Sequence, residues 1–564
     1  MFKKICLLFL ILIIPNTMPT SSAINLMWPV AYKPKLTGGF GEFRTIRFHH
    51  GLDISTGGTT GHKVYAAAGG YVSSVLYHHY GAGYGLFVTH PGGYKTFYCH
   101  LKKFSWYLRK HHKIRKYRSH MMNKKNFNIK LRAGDIPVRR GTIIAYSGDT
   151  GAVPPHLHFE LRRGSDLTVN PLINGIRIRD RRAPIIRGVH LMPLSHVSQS
   201  ENNEMGTIIK AKRYRGRYYI LKQKKIPQAY GLIGIKIDAY DPWVHYKLPI
   251  FGMKLYIDNK LVFQRQLKSI YRSKSYKAGT IYDFDYSSSR KFIYYLYSRN
   301  TKKGALKITK KNNIRRIKIM VYDARGNRSY INFKIKSGES QKGLSPKKLN
   351  LFKGQRLVLK SSDNKCTVQY SKKAALYNEE VHLTKDPQPT LYLKGFSSRS
   401  DQYTLSPSHL CVLKRPKLSL KYTGSDRKKV GIYIMSGNAF YFQSNRYDKK
   451  SKSFIARPIR TSTFFLARDD TKPTAYFKNK RRYRRPSRIL IRVRDSGSGL
   501  NIKRCIVQVD NKKVYWVQDI LWKKSYIEIF KHNKVWSRGK HIISLYLVDN
   551  AGNNRSYRYI YYRY

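Results

Sequence analysis

Pro155-His156-Leu157-His158-Phe159-Glu160 is the stretch on which the reading of this chain turns. On a strand, residues two apart share a face. His156 and His158 therefore project together, one able to bond a metal and the other to reach what the metal binds, while Leu157 and Phe159 face the core. Two further segments precede it in order: His49-His50-Gly51-Leu52-Asp53 and Phe97-Tyr98-Cys99-His100-Leu101. His49 and Asp53 stand four apart, and Gly51 between them disfavours helix and predicts an extended or looped backbone.

Two imidazoles and one carboxylate suit zinc, and three protein ligands leave the fourth tetrahedral position open, as catalysis requires. The five cysteines have no metal-type spacing and are too sparse for a disulfide framework, although Cys366 and Cys411 are open to pairing in an oxidising compartment. The sequence holds no His-Glu-x-x-His helix, so no glutamate base of that kind is expected.

Around these segments, from Trp28 to about Asn174, the chain is rich in glycine and short β-type runs. Val64 to Val72 reads as strand, tight turn and strand. Leu86 to His90 and Lys95 to His100 flank Pro91-Gly92-Gly93 as a hairpin. A basic stretch, about 102–137, carries His111, His112 and His120 and reads as an inserted lid or loop, with a helical piece around Ser105 to Met122. Its histidines lack the spacing of a second metal site and are read as solvated surface.

The ordered set of segments resembles the lysostaphin-type (LytM-like) zinc metallopeptidases, cell-wall endopeptidases with a β-rich fold. Their pattern of His-x-Gly-x-Asp, Tyr-x-His-Leu and Gly-x-Thr-Gly before Pro-His-Leu-His-Phe-Glu stands here as His49 to Asp53, Tyr98 to Leu101, Gly148 to Gly151 and Pro155 to Glu160. Val64 to Ala67 and Asn170-Pro171 also fit. The resemblance covers roughly a quarter of the chain. It implies that His49, Asp53 and His158 bind one Zn2+ per chain, and that His100 and His156 act on the water and the developing oxyanion. The pattern selects His49 over His50, and Glu160 is expected to orient a ligand. The implied activity is hydrolysis of peptide cross-links or stem peptides of peptidoglycan. The alternative is a non-enzymatic activator of other wall hydrolases, or an envelope scaffold or adhesion protein.

The chain has 564 residues, too many for one core, with 110 Lys and Arg against 30 acids and a net charge of +80. Such a surface favours polyanions, among them an anionic wall polymer. The basic residues are spread along the whole chain, whereas a nucleic-acid binder concentrates them on one element, so no nucleic-acid partner is expected. Lys3 and Lys4, the apolar run Ile5 to Pro15 and Ser21-Ser22-Ala23 read as a signal peptide over 1–23, which predicts export to periplasm, envelope or exterior. No later stretch is apolar enough to span a bilayer.

Beyond about residue 180 the pattern turns to short alternating strands, and four features recur in order. Asp180-x-x-x-Pro184 matches Asp469-x-x-x-Pro473. Ile235 to Asp238 resembles Arg492 to Asp495, and Lys254 to Lys260 resembles Ile506 to Lys512. Val321 to Asn327 matches Leu547 to Asn553. Each Asp-Asn pair falls where two strands would turn, and each Gly-Asn pair can take positive φ. The chain is thus expected to be mainly β: a zinc peptidase domain over 24–178, a β-sandwich module over 179–337, a β-rich domain over 338–470 and a second copy of the module over 471–564. The repeated modules resemble the immunoglobulin-like modules of bacterial surface proteins.

Overall fold

The computed structural model describes residues 24–338, 350–477, 488–530 and 539–563, less positions 45–46, 79–80, 118–125, 152–153, 195–197, 202–205, 224, 284–285, 289, 300, 310–312, 353, 375–380, 390, 392–393, 407–413, 437–438, 459–461, 515 and 522–523. The expected signal peptide over 1–23, and His120, Met122 and Cys411, lie outside the described residues.

The structure is nearly all β. In the N-terminal domain the main sheet runs in the order Leu36–Gly38, Leu52–Ser55, His156–Arg163, Tyr94–Phe104, Gly83–Thr89 and Gly70–His78. Leu157, Phe159 and Leu161 are fully buried, so the alternation read from the sequence sets which face of the central strand is core. The hairpin at Pro91–Gly93 forms, its flanking strands pairing antiparallel. The strands at either end of Val64 to Val72 do not pair with each other. Lys63–Tyr65 joins Ile143–Ser147, and Gly70–His78 joins Gly83–Thr89.

The described part of the basic insert forms two short helical turns, Trp106–Lys110 and His112–Arg115, followed by the strand Phe127–Lys130. Ser105 caps the first turn, its Oγ accepting from Leu108 N at 3.4 Å. Leu108 and Ile114 are buried, and Phe127–Lys130 pairs with Gly70–His78. Phe127–Lys130 is therefore four strands away from His156–Arg163, beyond Tyr94–Phe104, Gly83–Thr89 and Gly70–His78.

The next module does not stand apart. Its strand Ser269–Tyr271 pairs with Leu167–Val169 and extends the N-terminal sheet, and Tyr282 Oη donates to the Gly41 carbonyl at 2.7 Å. One hydrophobic core runs through both. The expected sandwich over 179–337 is one continuous sheet, because Tyr218–Leu221 pairs antiparallel with Thr207–Arg215 and parallel with Arg328–Ser337. In the last module two four-stranded sheets stay separate over a shared core that includes Ile491, Val493, Val507 and Leu545. Between them, sheets of five and six strands enclose Val368, Leu418, Ile432 and Leu466.

The two repeat copies share local geometry. Asp258-Asn259 and Asp510-Asn511 all take positive φ, from 47° to 65°, at the turns of matching hairpins. Gly326 and Gly552 have φ of 88° and 90°. One alignment needs correction. Asp238 is not the counterpart of Asp495, since it pairs with Arg187 at 2.8 Å. The counterpart is Asp241, three residues on, because residues an odd number apart on a strand occupy opposite faces.

Gly51 shows how tightly fold and site are joined. A Cβ there would overlap the Phe159 carbonyl on the neighbouring strand. Gly51→Ala is expected to destabilise the protein by about 1–3 kcal/mol through overpacking, measured as a lower denaturation midpoint, and to weaken metal binding in the same preparation.

Candidate metal centre

Strand register brings the central residues together. His158 lies directly opposite Asp53 across the sheet. His49 precedes that strand and is pinned by backbone bonds, its N–H donating to Glu42 O and its carbonyl accepting from Gly41 N, each at 2.8 Å. All three side chains are largely buried, as is that of His100.

Three atoms meet at one point. His49 Nε2 lies 2.9 Å from His158 Nδ1 and 3.0 Å from Asp53 Oδ1, and His158 Nδ1 lies 2.9 Å from Asp53 Oδ1. The outer nitrogens fix what these atoms present. His49 Nδ1–H donates to the Gly39 carbonyl at 2.8 Å, and His158 Nε2–H donates to Glu160 Oε1 at 3.0 Å. Each neutral ring therefore turns a lone pair inward, against a carboxylate oxygen. Three lone pairs facing one another in a buried site need a positive charge between them. A tetrahedral zinc with bonds of about 2.0–2.1 Å has ligand edges of about 3.3 Å, close to the observed separations. The donor set and its spacing fit that ion.

The surroundings hold the ligands in place. Asp53 Oδ2 accepts from Arg44 Nη2 at 2.6 Å, which leaves Oδ1 for the centre. Arg44 is in turn ion-paired with Glu42 at 3.0 Å. Glu160 Oε2 accepts from Arg162 Nε at 2.7 Å. Burial opposes charge on His158, yet its bonds to Asp53 and Glu160 win and raise its pKa to about 9. Burial also opposes ionisation of Glu160, but His158 and Arg162 lower it to about 2. Asp53 is likewise held well below the usual carboxylate range, against its burial, by His49 and His156. Without a metal, a proton on His158 supplies the missing charge.

Two more histidines border the centre. His100 and His156 have ring centroids 4.7 Å apart, and His156 Nε2 lies 3.4 Å from Asp53 Oδ1. His100 Nδ1–H donates to Thr150 O at 2.9 Å, and His156 Nδ1–H to Pro154 O at 2.7 Å. His100 therefore keeps Nε2 as a free lone pair, whereas His156 Nε2 faces the Asp53 carboxylate. Burial, then the neighbouring His156 and His158, lower the His100 pKa to about 3. His100 has φ of 61°, unusual for a residue with a side chain. The ladder explains it: Leu86 opposes Tyr98 but Tyr84 opposes Leu101, a bulge with one extra residue on the His100 side. Thr150 secures the bulge, its Oγ1 donating to Leu101 O at 2.7 Å and accepting from Tyr84 N at 2.9 Å.

The structure thus gathers His49, Asp53, His158, His100 and His156. His50 points away, to Thr168 Oγ1 at 3.1 Å and Ser275 Oγ at 2.9 Å. His111 and His112 lie side by side in the insert, their rings tilted by 31° with centroids 4.6 Å apart. Sequence reasoning missed Arg44, Glu42 and Arg162. Of these only Arg162 carried a local signal, since it shares a strand face with His158 and Glu160.

Residues 47–119 match the model of peptidase family M23, a span that holds His49, Asp53 and His100. The catalytic domain of the prophage-encoded M23 protein EnpA from Enterococcus faecalis, solved as a point mutant, is 21% identical over 26% of this chain and 94% of its own, with a TM-score of 0.19. LytU is 25% identical over 25% of this chain and 81% of its own, with a TM-score of 0.17. A chain of the SpoIIQ–SpoIIIAH pore-forming complex is 21% identical over 27% and 92%, with a TM-score of 0.20. No curated protein matches the chain.

The proton on His158 predicts a pH dependence for metal uptake. His158 ordinarily titrates near 6.5 and here near 9, so between those values an entering cation must displace its proton. Zinc affinity of the metal-free protein is expected to rise about tenfold per pH unit from 6.5 to about 9 and then level off. Glu160→Gln is expected to weaken zinc binding by about 10–100-fold and to move the plateau to lower pH. Competition titrations with a chromophoric chelator measure both.

Proposed function

We propose that the M23-type domain of this chain is a zinc-dependent endopeptidase that hydrolyses peptide bonds of peptidoglycan, and that the protein is exported to act there. The observation that carries the reading is the convergence of His49 Nε2, Asp53 Oδ1 and His158 Nδ1, with the free edges of His100 and His156 beside them. A zinc ion held by the three ligands would supply Lewis acidity toward a carbonyl and a nucleophilic water at neutral pH.

The chain's own residues do the rest. The Thr150 carbonyl fixes the His100 tautomer, so Nε2 can take a proton from the attacking water. The Pro154 carbonyl orients His156, whose Nε2–H hydrogen-bonds the developing oxyanion, and the proton taken by His100 passes to the departing amine as the C–N bond breaks. Such positioned proton transfer contributes about 10²–10⁴-fold. Arg44 and Glu160 hold the ligands without touching substrate. Export is supported by the basic start, apolar run and small residues over 1–23, and affinity for an anionic wall by the net charge of +80.

The test is digestion of purified peptidoglycan with measured zinc content. Wild type is expected to hold one zinc and to release new amino groups. His100→Ala and His156→Ala should keep the zinc and lose about 10²–10⁴-fold in rate, whereas His158→Ala should lose the metal. A wild-type protein that holds zinc and opens no bond would contradict the enzyme and leave a wall-binding activator.

A further inference from the structure

The repeat motifs of the two modules are unused by the peptidase, and they bring acids together. Asp180, Asp241 and Asp323 place one carboxylate oxygen each within 4.8 Å of one another, and Asp469, Asp495 and Asp549 do the same in the second copy. Six of the chain's 30 acids are used this way, in a protein with 110 basic residues.

Those bases reach the carboxylates only loosely. In the first cluster Arg182 approaches Asp180 to 3.8 Å, and the charges of Arg182 and Arg325 act on the cluster without a side-chain hydrogen bond to it. In the second, among the described residues, no basic side chain is ion-paired with any of the three. Asp241 is 7% exposed, and its Oδ1 has no hydrogen-bond partner among the described residues. The same oxygen of its counterpart, Asp495 Oδ1, is also buried without a partner. A buried anionic oxygen in this position is costly unless a cation meets it.

The other oxygens are held alike in both copies. Asp323 Oδ1 accepts from Asn327 N at 2.9 Å and Oδ2 from Asn327 Nδ2 at 2.6 Å; Asp549 accepts from Asn553 at 2.7 and 2.8 Å. The same amides tie in the first aspartate, Asn327 Nδ2 donating to Asp180 O at 3.2 Å and Asn553 Nδ2 to Asp469 O at 2.8 Å. Asp495 Oδ2 accepts from Gly499 N at 2.6 Å, which leaves Oδ1 for the cluster.

The geometry points to two calcium sites, one in each repeat module, formed by Asp180, Asp241 and Asp323 and by Asp469, Asp495 and Asp549. The ligand chemistry selects the ion. Oxygen-only sets take hard cations, and zinc prefers nitrogen and sulfur. Calcium accepts 6–8 oxygens at about 2.3–2.6 Å in flexible geometry, so oxygens across its shell lie up to about 5 Å apart; magnesium demands a tighter octahedron. Burial, with the neighbouring carboxylates, raises Asp241 well above the usual range and Asp495 and Asp549 to about 6. A divalent cation removes that repulsion.

Each site sits where its module begins. Asp180 follows the stretch leaving the N-terminal domain, where Arg325 Nη2 also donates to Ile176 O at 2.5 Å. Asp469 ends the strand Thr463–Asp469 of the preceding domain. A bound ion therefore clamps an entering segment to two strand ends and stiffens each junction.

Calcium binding to the full-length, zinc-loaded protein tests this by equilibrium dialysis with radioactive calcium, beside thermal unfolding. Wild type is expected to bind two calcium ions, and Asp241→Asn and Asp495→Asn one each, with zinc content unchanged. The double variant should bind none. Calcium should raise the unfolding temperature of wild type, with magnesium at equal concentration doing less. In calcium-free buffer each Asn variant should unfold at or above the wild-type temperature, because a repulsion is removed. Wild type that binds no calcium at millimolar concentration overturns the proposal, as does undiminished binding by the double variant. A variant that fails to fold leaves the wild-type stoichiometry as the deciding measurement.

Discussion

The N-terminal domain is organised around three inward-facing lone pairs that share a buried point. His49, Asp53 and His158 can hold that arrangement only if positive charge sits among them. Everything nearby serves to fix the lone pairs and keep them from seeking other partners. The Gly39 carbonyl and the Glu160 carboxylate set the two imidazole tautomers. Arg44 occupies the spare oxygen of Asp53, and Arg162 occupies that of Glu160. The centre is therefore the meeting point of a polar network that reaches from the turn at Gly39 to the middle of the sheet.

The second pair of histidines depends on a different device. His100 sits on a bulge in a left-handed conformation, held open by Thr150 from the loop after Ser147. That backbone strain is the kind stored where a side chain must be aimed. The neighbouring module contributes as well. Its Ser275 Oγ bonds both Phe48 N and His50, and its Tyr282 bonds Gly41. The segment carrying His49 is thus braced from outside its own domain, and the module is part of the support of the site.

Much of this was legible in the sequence because strand periodicity is short-range. His-Leu-His-Phe-Glu states which side chains share a face without reference to anything distant, and Gly51 marks the extended approach to Asp53. The Asp-Asn and Gly-Asn turns were readable for the same reason, since their backbone angles are set by the residues themselves. What was not legible is long-range. Arg44 meets Asp53 only after the chain doubles back, and Thr150 meets His100 across 50 residues. The repeat alignment is off by three residues at Asp238: the buried Val493 stands two before Asp495, as Ala239 does before Asp241, whereas Ile237 directly precedes Asp238, which pairs with Arg187 instead. The closure of the 179–337 sheet rests on two short parallel contacts, Tyr218 and Tyr219 with Tyr330 and Ile331, and Gln228 and Ala229 with Lys336 and Ser337, that no local pattern announces.

Zinc is the ion that the donor set of these buried lone pairs fits. X-ray absorption at the zinc edge of the purified full-length protein tests it most directly. One zinc is expected, with two imidazole nitrogens at about 2.0–2.1 Å, the remaining ligands oxygen and no sulfur, and with the bound zinc lost in His49→Ala as in His158→Ala. Zinc bound through sulfur, a spectrum unchanged in His49→Ala, or protein that takes up no zinc at pH 8 would contradict it.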